Sequence, residues 1–563
     1  MEASKPRPTL SLRGIAAAPG LASGPAAIWP DESLTVPRHA DADPLAERQR
    51  LEEARRGVQE DLVGLKEKVT QEAGAAEAAI FEAHAMILAD TSLLKRAEAG
   101  LEGGLNAEAA WMDAVEFFAS QLAALPDPTL SARALDVRDV GQRVLRRLLG
   151  KEPDQALRLA RPSVIVARDL APSQTASLDK SLVRAFCTAE GGPTSHTAIL
   201  ARALGLPAVV GLGKDLLETP EGALLLVDGS QGAVIISPDE QTSAAFDERS
   251  QAASARAEAE LAEASQPAVT RDGRRVEVVA NVGSVEDAEA ALQFGAEGIG
   301  LLRTEFLYLD RRTAPTEDEQ VQAYARILEI MGQRPVVVRT LDVGGDKPLP
   351  YLDLGTEANP FLGWRAIRMC LDRPEFFLVQ LRALLRAGAG HDLRIMFPMV
   401  STLEEVRRAK ALLDQARRQL AVQGLPAAER VQVGIMVEVP SVAMLAGLFA
   451  REVDFFSIGT NDLTQYTLAA ERTNERVAHL SDALHPAVLR QIQRVIEAGH
   501  ARGIWVGVCG ELAGEPEAIP ILLGLALDEF SVAPPLIPRA KAVLRQWTLR
   551  SAQALAAGAV EQE

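Results

Sequence analysis

Cysteine is scarce in this chain: three among 563 residues, at 187, 370 and 509, with no CxxC pair. Neither a disulfide framework nor a zinc knuckle can be built from Cys187, Cys370 and Cys509, and a reducing compartment is expected. Histidine is limited to seven copies, so each deserves a place in the reading. Positive charge is in deficit, with 59 Lys and Arg against 77 Asp and Glu and a formal net charge of −18. That balance argues against a nucleic-acid or anionic-membrane surface, but it leaves room for a local cationic pocket that takes a small anion. No run of about 18 apolar residues offers a membrane span. The start, MEASKPRPTLSLRG, lacks the apolar stretch of a signal peptide, so a cytoplasmic protein is expected. Also missing are GxxxxGK[ST] and a GxGxxG opening a βαβ unit, the ordinary glycine-rich phosphate loops.

What is present divides into three textures, in line with the roughly three or four domains expected at this length. Residues 11–29, SLRGIAAAPGLASGPAAIW, read as short strands joined by Pro-Gly and Ser-Gly-Pro turns. Asp43 and Pro44 read as an N-cap and a proline at the first helical position. Helical pattern follows to the region of residue 150, broken by Gly and Pro at 103–104 and 126–128. Strand texture then returns between 163 and 237. An all-helical block, 43–150, is thus inserted into an α/β domain made of 1–42 and 151–238. Residues 239–266, rich in Ala, Glu and Ser with weak apolar periodicity, read as a largely solvated linker helix.

The third texture fills 267–563. VEVVANVG (276–283), GIGLLRTEFLY (298–308), PVVVRTLDVGGDK (335–347), LRIMFPMV (393–400), VQVGIMVEVP (431–440), VDFFSIGTNDL (453–463), GIWVGVCGELAG (503–514) and EFSVAP (529–534) are short, nearly continuous apolar runs. Helical patterns separate most of them. Buried parallel strands read this way, and eight βα repeats predict a (β/α)8 barrel.

Barrel chemistry sits at the C-terminal ends of the strands, and these ends are polar. They carry Arg303, Thr304 and Glu305; Arg339 with Asp342, Asp346 and Lys347 beyond; Glu438; Asn461 and Asp462, with Arg472 further on; and Cys509 with Glu511. Three arginines on one face suit a ligand with phosphate and carboxylate groups, because the guanidinium fork binds both bidentately. Glu438 and Asp462, on neighbouring strands, suit Mg²⁺, which takes one or two carboxylates and fills its octahedron with waters and substrate oxygens. The competing reading is a set of ion pairs that close the barrel mouth. Lys347 is either a positioned cation or a surface lysine. Glu305 reads as a partner for the arginines, and Arg365, within GWRAIRMCL, as structural. Cys509 is either a small buried hydrophobe or a general acid beside an anion site.

The stretch GGPTSHTAILAR (191–202) places one of the seven histidines where a glycine turn hands over to a helix. A helix N-terminus favours an anion, and Thr194, Ser195 and Thr197 add donors. A neutral imidazole at His196 can attack phosphorus. The alternative is a capping histidine.

These segments resemble enzyme I of the bacterial phosphoenolpyruvate:sugar phosphotransferase system along nearly the whole chain. GGPTSHTAILAR is similar to the family's phosphohistidine signature, and DFFSIGTNDLTQYTLAAER (454–472) to its second signature. LLRTEFLY, RTLDVGGDK, NPFLGWRAIR and IFEAHAMILAD follow in family order. The resemblance implies a swivelling phosphohistidine α/β domain with an inserted all-helical domain, then a TIM-type (β/α)8 barrel. It implies phosphoryl transfer from phosphoenolpyruvate through His196 to a histidine-containing phosphocarrier protein. Arg303 and Arg339 would bind the phosphate, Asn461 and Arg472 would complete the substrate site, Glu438 and Asp462 would hold Mg²⁺, and Cys509 would protonate carbon 3. Phosphocarrier docking would fall on the helical block near residues 80–94, with His84 on that surface. A homodimer through the barrel is implied as well. Pro193, where some relatives carry a basic residue, departs from the pattern. MEASKPRPTLS is a slightly long, disordered extension by the same comparison. A phosphoenolpyruvate synthase or pyruvate phosphate dikinase would need an ATP-binding domain, and a nitrogen-type paralogue a sensory domain. A non-catalytic scaffold conflicts with intact His196, Glu438, Asp462 and Cys509, and a metal-dependent aldolase leaves 191–202 without a role.

Overall fold

The structure is a computed structural model. It describes residues 9–30, 34–40, 42–72, 75–124, 128–151, 157, 159–170, 174, 178–192, 195–309, 311–344, 349, 351–352, 357–472, 474 and 476–561, with only the backbone at 68–72, 75–79, 128–132, 196 and 203. The chain forms two compact units, divided between Ala253 and Ser254.

The first unit carries an eight-stranded sheet: β1 (Leu10–Arg13), β2 (Ile15–Ala18), β3 (Leu21–Ile28), β4 (Ser163–Ala167), β5 (Val183–Thr188), β6 (Ala208–Val210), β7 (Leu224–Asp228) and β8 (Ala233–Ile236). The strand order is β1-β8-β7-β3-β4-β5-β6-β2. Its two edge strands are separated in sequence by Gly14 alone, so the sheet curls until its ends meet. Strands β3 to β6 run parallel, and parallel neighbours need a long crossover. Between β3 and β4 that crossover is the entire helical block. Between β5 and β6 it is the helix His196–Leu204. His196 therefore starts a helix just beyond the carboxyl end of a parallel strand.

The helical block comprises α1 (Pro44–Glu72), α2 (Ala75–Leu88), α3 (Thr91–Glu102), α4 (Ala107–Ala123) and α5 (Pro128–Leu148). Asp43 caps α1 by accepting from the Leu45 amide at 3.1 Å. Trp111 is fully buried and its indole donates to the Gly141 carbonyl at 3.0 Å. His84 corrects an expectation: it has no exposed surface and cannot belong to a docking surface. Phe81, His84 and Leu88 recur at helical spacing and form the inward face of α2. The imidazole lies 3.5 Å from the Asp136 carboxylate and edge-on to Phe81. Met86, on the other face, is exposed. The amino-terminal expectation also needs trimming, since Leu10 and Ser11 already belong to β1.

The helix Glu240–Ala262 crosses the division between the units. Residues 251–259 are exposed throughout. On one side of that stretch Phe246 is buried and Arg249 pairs with Asp228 at 2.8 Å. On the other, Glu260 pairs with Arg539 at 2.5 Å.

In the second unit, eight strands close into a barrel: β10 (Arg275–Val282), β11 (Ile299–Leu302), β12 (Val336–Arg339), β13 (Leu393–Phe397), β14 (Gln432–Val437), β15 (Phe455–Ile458), β16 (Trp505–Val508) and β17 (Glu529–Val532). Each pairs in parallel with the next, and β10 closes on β11. A short β9 (Ala268–Val269) runs antiparallel to the start of β10. The eight strands fall on the eight apolar runs, although the second ends at Leu302 and gives way to a 3-10 turn over Glu305–Leu307. Side chains alternate along each strand. Outward residues such as Val278, Ile395, Ile435 and Phe456 join the core under the helices. Leu301, Val337, Met396, Met436, Phe455 and Cys509 pack together inside. The inward series runs on into the upper mouth, which is where Arg339, Glu438 and Cys509 stand.

Candidate active site

One cavity at the carboxyl ends of the barrel strands is lined by Arg303, Arg339, Asp342, Arg365, Glu438, Asn461, Asp462, Arg472 and Cys509, together with Leu301, Phe361, Met436, Gly459 and Gly510. It encloses about 130 Å³. All the barrel residues singled out for substrate, metal or acid roles meet there. Lys347 and Asp346 lie outside the described residues, as do Pro193 and Thr194.

The charges form a chain. Arg339 donates to Glu305 at 3.1 Å and pairs with Asp342 at 3.0 Å. Arg365 grips both oxygens of Asp342, at 2.8 and 3.0 Å, and reaches Asp462 at 3.4 Å. Asp462 in turn accepts from Arg472 at 2.8 Å. Arg303 is exposed and makes no ion pair among the described residues. Burial works against the Arg339 and Arg365 cations, but the surrounding carboxylates outweigh it and raise both pKa values. Asn461 is held by Glu511, which it meets at 3.2 Å through its amide and at 3.0 Å through its carbonyl.

Glu438 is the exception in this chain. It is buried, and it accepts a 2.5 Å hydrogen bond from the Met399 amide. No arginine pairs with it directly among the described residues. Burial, then the negative Asp462 and Asp342, push its pKa up to about 8, against Arg339 and Arg365. Four arginines line the cavity against three carboxyls. With Glu438 protonated, two carboxylates remain, and Glu305 behind Arg339 supplies a third. The site is therefore net cationic within an acidic protein and suits a small polyanion. Glu438 and Asp462 share the cavity and are the residues that could hold a divalent cation. Among the described residues no cluster of three or more metal-ligating side chains occurs, so waters and substrate oxygens would complete an octahedron.

Cys509 stands just past the end of β16. Burial pushes its thiol up to about 11, with the Ser457 hydroxyl opposing that rise. At neutral pH it carries its proton, as a general acid must. Gly510 follows, and a Cβ there would come 1.9 Å from the Thr460 hydroxyl, so only glycine lets the turn after Cys509 pass the helix Thr460–Leu468.

Arg365, expected to be structural, links Asp342 and Asp462 at the cavity wall. It is 6% exposed, precedes the helix Ala366–Asp372, and points into the cavity. Its position inside a helical sequence pattern hid it; Ala366, with φ of 51°, breaks that pattern at the site. Tyr466, which meets Arg365 at 3.5 Å and donates to the Phe361 carbonyl at 2.6 Å, was also missed.

In the first unit, Ser195 caps the helix that His196 begins by accepting from the Ala198 amide at 3.4 Å. Thr197 is buried and donates to Asp169 at 3.4 Å. Asp169 follows β4, so the ends of two parallel strands converge at this turn.

Comparison with known proteins gives the class. The PEP-utilising enzyme, PEP-binding domain matches residues 257–549, the mobile domain 159–232 and the N-terminal domain 13–133. The chain is 48% identical over 541 residues to phosphoenolpyruvate-protein phosphotransferases of Bacillus sp. (strain S) and of Geobacillus stearothermophilus, covering 95% of this chain and 93% of each relative. That of Bacillus subtilis (strain 168) is 46% identical over 93% of this chain and 92% of its own length. The chain belongs to the phosphoenolpyruvate-protein phosphotransferase family.

The elevated Glu438 makes a prediction about stability. In the folded metal-free protein its proton is held up to about pH 8, whereas the unfolded chain loses it near 4.5. Between those values the native state binds more protons, so stability falls as pH rises from about 5 to about 8. Glu529, also buried and also pushed to about 8, adds a slope of the same sign. Denaturation midpoints measured across that range should decline, and Glu438→Gln should remove roughly half of the decline.

Proposed function

We propose that this chain takes the phosphoryl group of phosphoenolpyruvate onto His196, releases pyruvate, and passes the group to a histidine-containing phosphocarrier protein, the first step of sugar uptake by the phosphotransferase system. The cavity carries this reading: a net-cationic mouth, paired carboxyls and a protonated thiol face the same small space. Arg303 and Arg339 bind the phosphate, while Asn461 and Arg472 complete the substrate site. Arg365, in the same charge chain, adds a further cation. The neutral His196 imidazole attacks phosphorus; a P–N bond forms as the bond from phosphorus to the enol oxygen breaks. The arginines stabilise charge on the moving group. The enolate left behind takes a proton at carbon 3 from the Cys509 thiol and becomes pyruvate, and water reprotonates the sulfur. Glu438 and Asp462 would hold Mg²⁺, whose charge neutralises the phosphate oxygens when bound.

Four parts share the work: 1–42 and 151–238 carry the phosphohistidine, 43–150 receives the phosphocarrier near residues 80–94, 239–266 links, and 267–563 binds phosphoenolpyruvate. No helix among the described residues is long and apolar enough to cross a membrane, and a cytoplasmic location accords with the substrate. The homodimer belongs to the barrel; exposed Met444, Leu445 and Leu448 give that unit an apolar strip that supports it. Sedimentation should find a dimer that Leu445→Glu weakens, and an unchanged dimer would remove this strip from the interface.

The whole reading is tested by incubating the protein with radiolabelled phosphoenolpyruvate and Mg²⁺. Acid-labile, alkali-stable label is expected on the wild type and none on His196→Ala. Folded wild-type protein that takes no label would favour a non-catalytic scaffold.

A further inference from the structure

Cys509 has a second set of contacts that no step above uses. Its carbonyl, one residue beyond the last β16–β17 ladder pair, Val508 with Phe530, accepts from the Asn281 side-chain amide at 3.0 Å. Asn281 projects from β10, two strands away around the barrel. Its own carbonyl accepts from the Ser531 hydroxyl on β17 at 2.7 Å. Ser531 is 1% exposed and Asn281 half-buried, so the hydroxyl end of the pair is the one shielded from water. Space for it comes from the neighbouring strand. A register shift in the β10–β11 pairing falls between Ala280 and Asn281, opposite Gly300. A Cβ on Gly300 would lie 2.5 Å from the Ser531 hydroxyl. On the opposite side, the Cys509 amide donates to the Ile458 carbonyl at 3.0 Å. The backbone of this one residue is thus gripped from both neighbouring directions.

We propose that Asn281 and Ser531 are positioning residues for the Cys509 proton donor, fixing its main chain so that the thiol faces carbon 3 of the enolate from one side only. This inference rests on the reading of Cys509 as the acid. The reason for such a grip is chemical. Proton transfer to carbon needs the donor within contact distance and aligned with the π face, and a misplacement of about 1 Å can cost about 100-fold. Phosphoryl transfer makes no such demand on Cys509. An enolate that escapes unprotonated still becomes pyruvate in water, but without facial preference. Loss of the grip therefore alters the stereochemistry of protonation more than it alters labelling of His196.

The test uses the full chain with a phosphocarrier protein and phosphoenolpyruvate that bears protium and tritium stereospecifically at carbon 3, turned over in D2O. Wild-type protein should give methyl groups of one chirality. Asn281→Asp keeps the shape and the acceptor for Ser531 but replaces the donor to the Cys509 carbonyl with an oxygen. It should still label His196 while giving largely racemic methyl groups, with turnover down by about 10- to 100-fold. Ser531→Ala, which removes a single hydroxyl, should lower the chiral excess in the same direction, and Ser531→Thr should restore it. If Asn281→Asp does not fold, the Ser531 pair decides. Full chirality in these variants, with Cys509→Ala racemic, would overturn the positioning role and leave the acid assignment intact. Full chirality in Cys509→Ala would overturn both.

Discussion

The barrel mouth depends on one unmatched acid. Arg339, Asp342, Arg365, Asp462 and Arg472 are locked into alternating pairs at 2.8 to 3.4 Å, whereas Glu438 sits among them without an arginine of its own. Removing one member of a buried ion pair leaves the other stranded, which is costly. The network therefore resists rearrangement and keeps its arginines aimed at the cavity before substrate arrives. Preorganisation of this kind is what electrostatic catalysis requires, since no reorganisation is left for the moment of reaction. Protonation of Glu438 keeps the empty site cationic enough for an anion. Its ionisation, with a divalent cation beside Asp462, would adapt the same site to the charge of phosphate.

The fold supplies levels at which these groups can meet. Strand alternation places apolar side chains on the outside of the barrel against the helices and sends the inward series up to the mouth. Arg339 ends β12, Glu438 follows β14 and Cys509 follows β16, so three chemically different groups stand at a common height without any of them needing a long flexible loop. His196 uses a simpler device, a crossover helix that starts at the end of a parallel strand and is capped by Ser195.

Much of this was legible in the residues, and the reasons differ by position. Arg303, Arg339, Glu438, Asn461, Asp462 and Cys509 stood out because each interrupts or closes an apolar run, and parallel strands bury both faces so thoroughly that a charge at their end is conspicuous. Arg365 was not conspicuous, because its neighbours carry helical periodicity and nothing in one dimension shows that the chain turns at Ala366. His84 was misplaced for another reason. The resemblance put a docking surface near residues 80–94 and His84 with it, but its spacing from Phe81 and Leu88 belongs to the buried face of α2. Asn281 and Ser531 gave no signal at all. A small polar residue inside a strand reads as ordinary alternation, and the contact that gives it meaning closes across some 250 residues of sequence.

The unmatched acid can be measured directly. Mg²⁺ titrated calorimetrically into the metal-free protein at about pH 7, in two buffers of different ionisation enthalpy, reports the protons exchanged on binding. Release of about one proton per chain is expected, because Glu438 must ionise to become a ligand, and Glu438→Gln should release none. Binding with no proton release by the wild type, or the same release from Glu438→Gln, would contradict the role given to this residue.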